Sequence, residues 1–407
     1  MKKILWNNDV KKNSYNGKVI YSNCNNGEWI RIGNDISDVI EYYIKNGCED
    51  SNVRFSNPED KKTFDMVMTQ MEEIGVLVDK RQPKQNGLIS FELTSKCNLH
   101  CIHCCVDAGK ISPNELKKDE WIVAFDKAIQ WNPRAIMLSG GEPMIRKDFF
   151  ELLKYLRVNY SGKIVVSTNG TLISEDNVVE LVKNSDEIDI SLDGYDEKSC
   201  SVIRGKGVFN KVINSINLLH KNGFDNIVLS MAIGSKNSEW EEEFLKLNER
   251  LGTDSMVRLF SPVGRGEESK DLFLNDDEYE LYIPKDYLNK EDNDFRVSCC
   301  SAGKFELFVS CDGSIYPCPS YFNDKYILGN VLDKNTLNDV VINCSHEFLI
   351  KKAFDNNSLS GDKCLECPVS EFCWTCPGTI NEIKTQDALD KYCNKMFSFL
   401  TRKIWEE

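Results

Sequence analysis

Three cysteines stand close together near position 100, and their spacing predicts an iron–sulfur site. Cys97, Cys101 and Cys104 form a C-x3-C-x2-C run directly after an apolar, strand-like stretch. Three thiolates can hold three irons of a cubic [4Fe–4S] cluster and leave the fourth iron open to a small molecule. A structural zinc site ordinarily takes four ligands. The run therefore predicts one-electron chemistry at an open iron, with a zinc knuckle as the alternative.

A glycine-rich turn follows the second predicted strand of the same region. Its sequence is Ser139-Gly140-Gly141-Glu142-Pro143. Two glycines allow unusual backbone angles and let the backbone come close to a ligand. The Glu142 carboxylate could accept a hydrogen bond from a ligand ammonium group. Together with the cysteine run one strand earlier, the turn predicts a site for a small, positively charged ligand.

The C-terminal quarter carries a second group of cysteines in short spacings. Its members are Cys300, Cys318, Cys364, Cys367, Cys373, Cys376 and Cys393. Seven thiols cannot fill two four-ligand clusters, but eight can if Cys299 or Cys311 is added. A zinc ribbon of Cys364, Cys367, Cys373 and Cys376 is the alternative, because C-x2-C pairs also suit zinc. Cys24, Cys48, Cys200 and Cys344 stand alone and are predicted to be ordinary thiols.

Composition narrows the class of protein. The chain has 407 residues, of which 41% are apolar and 28% charged, an ordinary globular balance. The net charge of −14 argues against a general binder of nucleic acid or anionic membranes. Neither a membrane-spanning stretch nor an export signal is evident. A cytoplasmic location is therefore expected, where disulfides are rare and clustered cysteines indicate metal ligands.

Alternating strands and helices predict an α/β region after residue 87. The strand candidates are Leu88–Leu93, Ala135–Leu138, Lys163–Ser167, Glu187–Leu192, Ile227–Ile233 and Met256–Phe260. Apolar residues with helical spacing, such as Phe149, Leu152, Leu153 and Leu156, predict helices between them. Six repeats imply a parallel sheet, open or curled into a partial barrel, with sites at the carboxyl ends of the strands. A further helix is predicted near Asp276–Tyr282, and Gly264-Arg265-Gly266 is predicted to form a turn, with a part in closing a ligand pocket as the alternative.

Residues 1–86 have a different sequence pattern from the α/β region and contain no clustered cysteines. Their predicted elements are strands at Lys18–Tyr21 and Glu28–Ile32, a helix capped by Asp35 or Ser37 that runs to about Lys45, a helix at Asp60–Glu73 and a strand at Val76–Val78. This β-β-α-α-β order resembles a winged helix. A winged helix would ordinarily indicate a DNA-binding module, which should be basic. The region has 13 basic and 13 acidic residues, and this neutral balance argues against DNA binding.

The cysteine run and the GGEP turn together resemble the radical S-adenosylmethionine superfamily over about residues 88–260. The resemblance implies a partial (β/α)6 barrel in which Cys97, Cys101 and Cys104 bind a [4Fe–4S] cluster, the catalytic centre. It implies that the open iron binds S-adenosylmethionine, whose reductive cleavage gives a 5′-deoxyadenosyl radical that abstracts a substrate hydrogen.

The same resemblance assigns the contacts of S-adenosylmethionine. Gly140, Gly141 and Glu142 would meet the methionine amino group, while Ser191 and Arg204 match positions that often meet its carboxylate. The strand-end sequences STNG and SLDG would line the pocket, through Ser167, Asn169, Ser191 and Asp193.

The C-terminal cysteines resemble the SPASM extension, which implies two auxiliary [4Fe–4S] clusters. The outer cluster would be bound by Cys364, Cys367, Cys373 and Cys393. The inner cluster would be bound by Cys300, Cys318 and Cys376, with Cys311 as a possible fourth ligand. The spacing from Cys373 to Cys376 is x2 here, whereas the usual pattern has x3, so Cys376 departs from the pattern that assigns it to the inner cluster.

In this context the N-terminal region resembles the leader-recognition domain of enzymes that modify ribosomal peptides. The implied domains are 1–86 for leader recognition, 87–261 for the radical barrel, 262–298 as a bridge and 299–407 for the auxiliary clusters.

The expected activity is that of an oxidoreductase that crosslinks a precursor peptide, and the favoured product is a thioether from a cysteine sulfur to an α-carbon. Carbon–carbon links, thioethers to β- or γ-carbons, formylglycine formation and a zinc-stabilised adaptor are alternatives. A flavodoxin- or ferredoxin-type electron donor is expected.

Overall fold

The computed structural model describes residues 4–47, 55, 57–80, 86–109, 112–275, 295–297, 300–341, 346–360, 362–373, 376–383 and 385–406. The chain divides into two compact units, each formed by more than one segment. The first unit takes its residues from 1–84, 285–300 and 349–407, and the second from 85–284 and 301–348. The expected roles of the four predicted domains remain predictions. The predicted helix at Asp276–Tyr282 lies outside the described residues.

The N-terminal part of the first unit is a small sheet with two helices. Its elements are β1 (Leu5–Trp6), β2 (Val10–Tyr15), β3 (Lys18–Asn23), β4 (Trp29–Gly33), α1 (Asn34–Lys45), α2 (Pro58–Glu73) and β5 (Leu77–Val78). β2, β3 and β4 form an antiparallel sheet in that order, and β1 pairs with β5. The helices and the sheet share a core that includes Val19, Tyr21, Ile40 and Met71. β1 and β2 precede the predicted elements, so the predicted order was incomplete.

The predicted caps of α1 were wrong. The N-cap residue is Gly33, and no side chain caps the helix. Asp35 lies in the first turn, where its charge favours the helix dipole. Ser37 is buried within the helix, and its hydroxyl shares a 2.8 Å hydrogen bond with the Tyr21 hydroxyl. A serine engaged in the core in this way is not available as a cap.

The second unit is built on a mostly parallel sheet. Its strands are β6 (Asn86–Glu92), β7 (Pro133–Ser139), β8 (Lys163–Thr168), β9 (Glu187–Ser191), β10 (Ile227–Ile233), β11 (Asp254–Leu259), β12 (Glu306–Val309), β13 (Ser314–Tyr316) and β14 (Gly329–Asn330). Its helices are α3 (Lys118–Trp131), α4 (Phe149–Asn159), α5 (Val178–Asn184), α6 (Glu197–Arg204), α7 (Val208–Lys221), α8 (Trp240–Leu251), α9 (Arg265–Glu268) and α10 (Leu337–Val341). β6 to β11 are neighbours in chain order and all parallel, which confirms the predicted α/β class.

The apolar stripes of the helices form the core of this unit. Phe149, Leu152, Leu153 and Leu156 are fully buried. They belong to one hydrophobic core with buried strand residues such as Phe91. Burying each such side chain contributes roughly 1.5–3 kcal/mol, so the stripes explain why the helices cover the sheet.

The sheet also continues beyond β6, which the sequence pattern did not predict. β12 pairs with β6 in parallel, with Phe308 opposite Ser90, and β13 and β14 follow antiparallel. The edge of β6 would otherwise present unpaired backbone groups.

The C-terminal part consists of short helices followed by one long helix. They are α11 (His346–Asn356), α12 (Asp362–Leu365), α13 (Ser370–Cys373) and α14 (Gln386–Thr401). The Thr385 hydroxyl caps α14 by accepting from the Ala388 N–H at 3.3 Å. Among the described residues, no helix is long and apolar enough to cross a membrane.

Candidate functional site

The cysteine loop begins where β6 ends, at the carboxyl edge of the parallel sheet. Cys101 is buried, whereas Cys97 and Cys104 are partly exposed. The Leu99 N–H donates to Cys97 Sγ at 3.4 Å, and the Ala108 N–H donates to Cys104 Sγ at 3.3 Å. Burial raises the pKa of the Cys97 and Cys101 thiols. Backbone donors aimed at sulfur are what thiolate ligands of an iron–sulfur cluster require, so this loop fits the predicted cluster.

The glycine turn holds the cysteine loop in place. Gly141 N–H donates to the Thr94 carbonyl at 2.7 Å, and Glu142 N–H donates to the Lys96 carbonyl at 2.9 Å. A Cβ on Gly141 would overlap the Lys96 carbonyl oxygen. The close approach that requires glycine at position 141 is therefore to the backbone just before Cys97.

Glu142 joins this turn to the end of β8. Its carboxylate is fully buried and accepts from the Thr168 hydroxyl at 2.8 Å and from the Asn169 N–H at 2.8 Å. It also accepts from the Met144 N–H at 3.1 Å. Burial raises the pKa of Glu142, against the effect of these hydrogen bonds. The predicted contact with a ligand amino group remains a prediction.

Arg204 and Asp193 form a buried ion pair beside Cys101. Arg204 Nε donates to Asp193 Oδ2 at 2.6 Å, and Arg204 Nη1 lies 3.7 Å from Cys101 Sγ. His103 Nε2 lies 3.0 Å from the same Asp193 oxygen, and the Ala232 N–H donates to the other at 2.6 Å. Burial alone would raise the pKa of Asp193, but Arg204 and His103 outweigh it and hold that pKa well below its ordinary range. The pair therefore stays ionised and keeps a positive charge beside a cysteine.

The other predicted contacts lie at neighbouring strand ends. Asn169 Nδ2 donates to Asn98 Oδ1 at 2.8 Å and lies 3.8 Å from Cys97 Sγ. Ser167 and Ser191 are half-buried at the ends of β8 and β9. The structure thus connects Asn169 with the cysteine loop, whereas the predicted ligand contacts of the two serines remain predictions.

Arg265 contacts the cysteine loop, a role that sequence reasoning considered only as an alternative. Residues 264–266 were expected to form a turn, but Arg265 begins α9. Its Nε donates to the Cys101 carbonyl at 3.0 Å and its Nη1 to the Ala108 carbonyl at 2.8 Å. A Cβ on Gly264, whose φ is +58°, would meet the Cys104 carbonyl oxygen at 2.5 Å. The only sequence signal was an arginine between two glycines just after a strand.

A second cysteine site lies in the C-terminal part of the first unit. One pocket is lined by all four cysteines of the predicted outer set, Cys364, Cys367, Cys373 and Cys393. Leu389, Cys393 and Phe397 lie on one face of α14 and supply its apolar wall. The Ser370 N–H donates to the Cys367 carbonyl at 3.1 Å, and burial raises the pKa of the Cys367 thiol. Cys376, which the zinc-ribbon alternative would need, is not among the described residues that line this pocket.

The predicted inner set has members in both units, and it remains a prediction. Cys311 lies in the turn of the β12–β13 hairpin, and Cys318 lies beyond its other end, because Val309 pairs with Ile315 and Phe308 with Tyr316. Measured along the strand direction, Cys311 and Cys318 are about four residues apart, which corresponds to roughly 13 Å. Cys311 N–H donates to Glu92 at 3.2 Å. Cys300 and Cys376 belong to the first unit.

The remaining cysteines have simpler surroundings. The buried Cys200 thiol donates to the Leu192 carbonyl at 3.1 Å, and Cys24 is half-buried. Cys48, Cys299 and Cys344 lie outside the described residues. Within the described parts of the chain, no three Cys, His, Asp or Glu side chains converge to hold a single metal ion. A cubic cluster spreads its ligands over separate irons, so this finding concerns single-ion sites.

Comparison with known families identifies the class of protein. Residues 91–247 match the model of the Radical SAM superfamily, and residues 299–377 match the SPASM model, an iron–sulfur cluster-binding domain. The chain therefore carries a radical SAM domain and a SPASM domain. The predicted cofactors, S-adenosylmethionine and [4Fe–4S] clusters, are confirmed by these two domains.

Individual relatives include a mycofactocin maturase and a heme synthase. The chain is 29% identical to the mycofactocin maturase MftC of Mycolicibacterium smegmatis over 295 residues, which are 67% of this chain and 75% of that protein. It is 27% identical to the AdoMet-dependent heme synthase of Methanosarcina barkeri over 325 residues, 71% of this chain and 90% of that protein.

A solved structure shares the fold. SuiB of Streptococcus suis bound to S-adenosylmethionine gives a TM-score of 0.53 at 16% identity, covering 90% of this chain and 94% of SuiB. SuiB bound to its precursor peptide SuiA gives 0.52 at 15% identity, covering 92% and 94%.

Proposed function

We propose that the chain is a radical SAM maturase that crosslinks a ribosomally made precursor peptide. The observation that carries the proposal is the presence of two cysteine sites of different kinds, an open set of three thiols and a pocket of four. The first would start a radical reaction, and the second would take part in removing an electron from the substrate radical. A maturase relative and the peptide-bound SuiB support a peptide as the substrate.

The residues around the first site would have separate tasks. Cys97, Cys101 and Cys104 would hold the cluster, while the glycine turn and Arg265 keep their loop in one conformation. When bound, the cluster supplies one electron that breaks the sulfonium C–S bond of S-adenosylmethionine and so produces the hydrogen-abstracting radical. Glu142 would accept from the methionine amino group, although it would have to share hydrogen bonds with Thr168 and Asn169.

The C-terminal cysteines would hold two auxiliary clusters. The outer set is Cys364, Cys367, Cys373 and Cys393, and the inner set includes Cys300, Cys318 and Cys376. The hairpin register does not favour Cys311 as the fourth inner ligand, because that residue lies at the far end from Cys318. Loss of an electron from the substrate radical makes the product oxidised overall, which suits a bond from a cysteine sulfur to an α-carbon. A reduced flavodoxin or ferredoxin would supply the first electron.

Anaerobic reconstitution with a precursor peptide tests the proposal. The probe is a cysteine-containing peptide encoded beside the gene, incubated with the enzyme, S-adenosylmethionine and dithionite. A loss of two hydrogens per link, located by fragment masses at a cysteine and an α-carbon, is expected together with deoxyadenosine. Colourless protein that contains zinc would instead support an adaptor, and unmodified peptide would overturn the maturase assignment.

Heme synthesis is a second candidate because the M. barkeri relative is matched over most of its length. Incubation with an iron-containing porphyrin precursor under the same reducing conditions distinguishes the two. Conversion of that precursor to heme, detected by its change in mass, would favour this candidate, whereas the maturase proposal predicts an unchanged porphyrin.

A further inference from the structure

The three-stranded sheet of the N-terminal part is buried on both faces. Neighbouring residues of a strand point to opposite faces. Val19 and Tyr21 of β3 face the helices and belong to the local core. Ile20 and Ser22 point the other way, yet their exposed fractions are only 1% and 0%. Something other than α1 and α2 must therefore cover the second face.

The cover is the segment between two cysteines of the four-cysteine pocket. The Ser22 hydroxyl donates to Glu371 Oε2 at 2.8 Å, and Asn13 Nδ2 donates to the Pro368 carbonyl at 3.0 Å. The ring of Trp29 meets Phe372 edge-on, with centroids 5.2 Å apart. All three partners lie between Cys367 and Cys373, which we call the seat segment, residues 368–372.

The residues that follow α14, the helix that carries Cys393, add to this contact. Lys18 Nζ donates to the Trp405 carbonyl at 2.5 Å, and Arg31 Nη1 donates to the Ile404 carbonyl at 2.7 Å. The Trp405 indole N–H in turn donates to the Pro368 carbonyl at 3.1 Å. The seat segment and the chain end after α14 therefore meet the sheet as one surface.

We infer that the four-cysteine pocket positions the N-terminal domain, because a cluster held there fixes the conformation of the seat segment. The helices that present Cys364 and Cys373 have only four residues each. Single helical turns are not stable by themselves. Binding of a metal group to such a segment contributes directly to its folding. The inference rests on the proposed outer ligand set and adds a docking role to it.

The test uses the full chain with Cys393→Ser, reconstituted under anaerobic conditions. Cys393 lines the pocket but is not among the seat residues. We expect a loss of about four irons and roughly tenfold faster hydrogen exchange of β3 amides, with β10 unchanged. The control is Cys97→Ala with Cys101→Ala and Cys104→Ala, which should also lose about four irons but leave β3 exchange unchanged.

The two readouts separate the possible failures. Unchanged iron in Cys393→Ser would overturn the proposed outer ligand set. Lost iron with unchanged β3 exchange would overturn the docking inference alone.

A second variant decides the question even if Cys393→Ser does not fold. Asn13→Ala with Glu371→Ala removes two side chains of the contact and keeps every cysteine. It should retain all its iron while β2 and β3 exchange faster. Unchanged exchange in this variant would overturn the inference as well.

Discussion

The cysteine loop after β6 and the four-cysteine pocket place the same side chain in two different surroundings. The loop has three cysteines within residues 97–104, and polar or charged groups lie beside their sulfurs. Arg204 is 3.7 Å from Cys101 Sγ, and Asn169 is 3.8 Å from Cys97 Sγ. The pocket collects its four cysteines from residues 364–393 and has walls of Leu389 and Phe397.

This difference shows how one ligand type can serve two purposes. Three thiols leave a cluster with one open iron, and nearby charges can orient a small molecule and adjust the reduction potential. Four thiols with apolar walls leave no open iron and keep water away. Ligand number and surroundings, rather than cysteine itself, separate a reactive site from an electron-carrying or structural one.

Removing the open set gives the largest expected effect. Cys97→Ala combined with Cys101→Ala and Cys104→Ala should abolish deoxyadenosine formation, because no cluster can then reduce the sulfonium. Chromatography of the products measures this, and iron analysis should show about four irons lost from about twelve. Retained cleavage in this variant would mean that these three cysteines do not hold the reactive cluster.

Removing the cation beside Cys101 should have the next largest effect. Arg204→Met leaves the buried Asp193 charge without its main partner and should lower the free energy of unfolding by about 3–5 kcal/mol. The reduction potential of the first cluster should also fall, since a nearby positive charge favours the reduced form. Denaturant unfolding and a redox titration followed by EPR measure the two effects.

A double variant serves as the control for Arg204→Met. Adding Asp193→Asn removes the stranded charge and should restore part of the stability, and it should also bring the potential part of the way back, because a negative charge beside the cluster is then lost as well. Equal potentials in wild type and Arg204→Met would remove the electrostatic contrast between the two sites.

Crowding the cysteine loop should have a smaller effect. Gly141→Ala places a Cβ against the Lys96 carbonyl and should cost about 1–3 kcal/mol, as overpacking commonly does. The iron of the first site should become labile while the pocket keeps its own. Gly109→Ala is the matched control, because a Cβ there meets no atom within 4 Å. Equal iron loss in both variants would contradict the bracing role of the turn.

The smallest effect is expected at the pocket. Tyr392→Phe removes the hydrogen bond to the Cys373 carbonyl, which is 2.8 Å long, and should cost about 0.5–1.5 kcal/mol. All iron should remain bound because the four thiols are unchanged. Thermal unfolding compares it with Tyr155→Phe, whose hydrogen bond to Asp126 is exposed. A large iron loss in Tyr392→Phe would show that the pocket depends on polar support as the loop does.

Local patterns were enough to predict much of the fold. Ile227–Ile233 was predicted to the residue, and the apolar stripe from Phe149 to Leu156 is buried as expected. These elements follow from side-chain periodicity, which a short stretch of sequence displays completely. The helix caps were predicted less well, since Gly33 rather than Asp35 or Ser37 precedes α1.

Contacts between distant segments could not be predicted in this way. β12 joins β6 although more than 200 residues separate them, and no local period announces such pairing. Arg265 follows β11, the last of the six parallel strands, yet it contacts the cysteine loop after β6, and no local pattern announces that contact either.

The sequence by itself determined which chemistry to expect of this protein, because the spacing of Cys97, Cys101 and Cys104 and the GGEP turn predict an iron–sulfur site with an open position. Only the tertiary structure decided which of the C-terminal cysteines share a pocket and what surrounds each sulfur. Ligand spacing is written along the chain, whereas burial and nearby charge arise when segments far apart in sequence pack together.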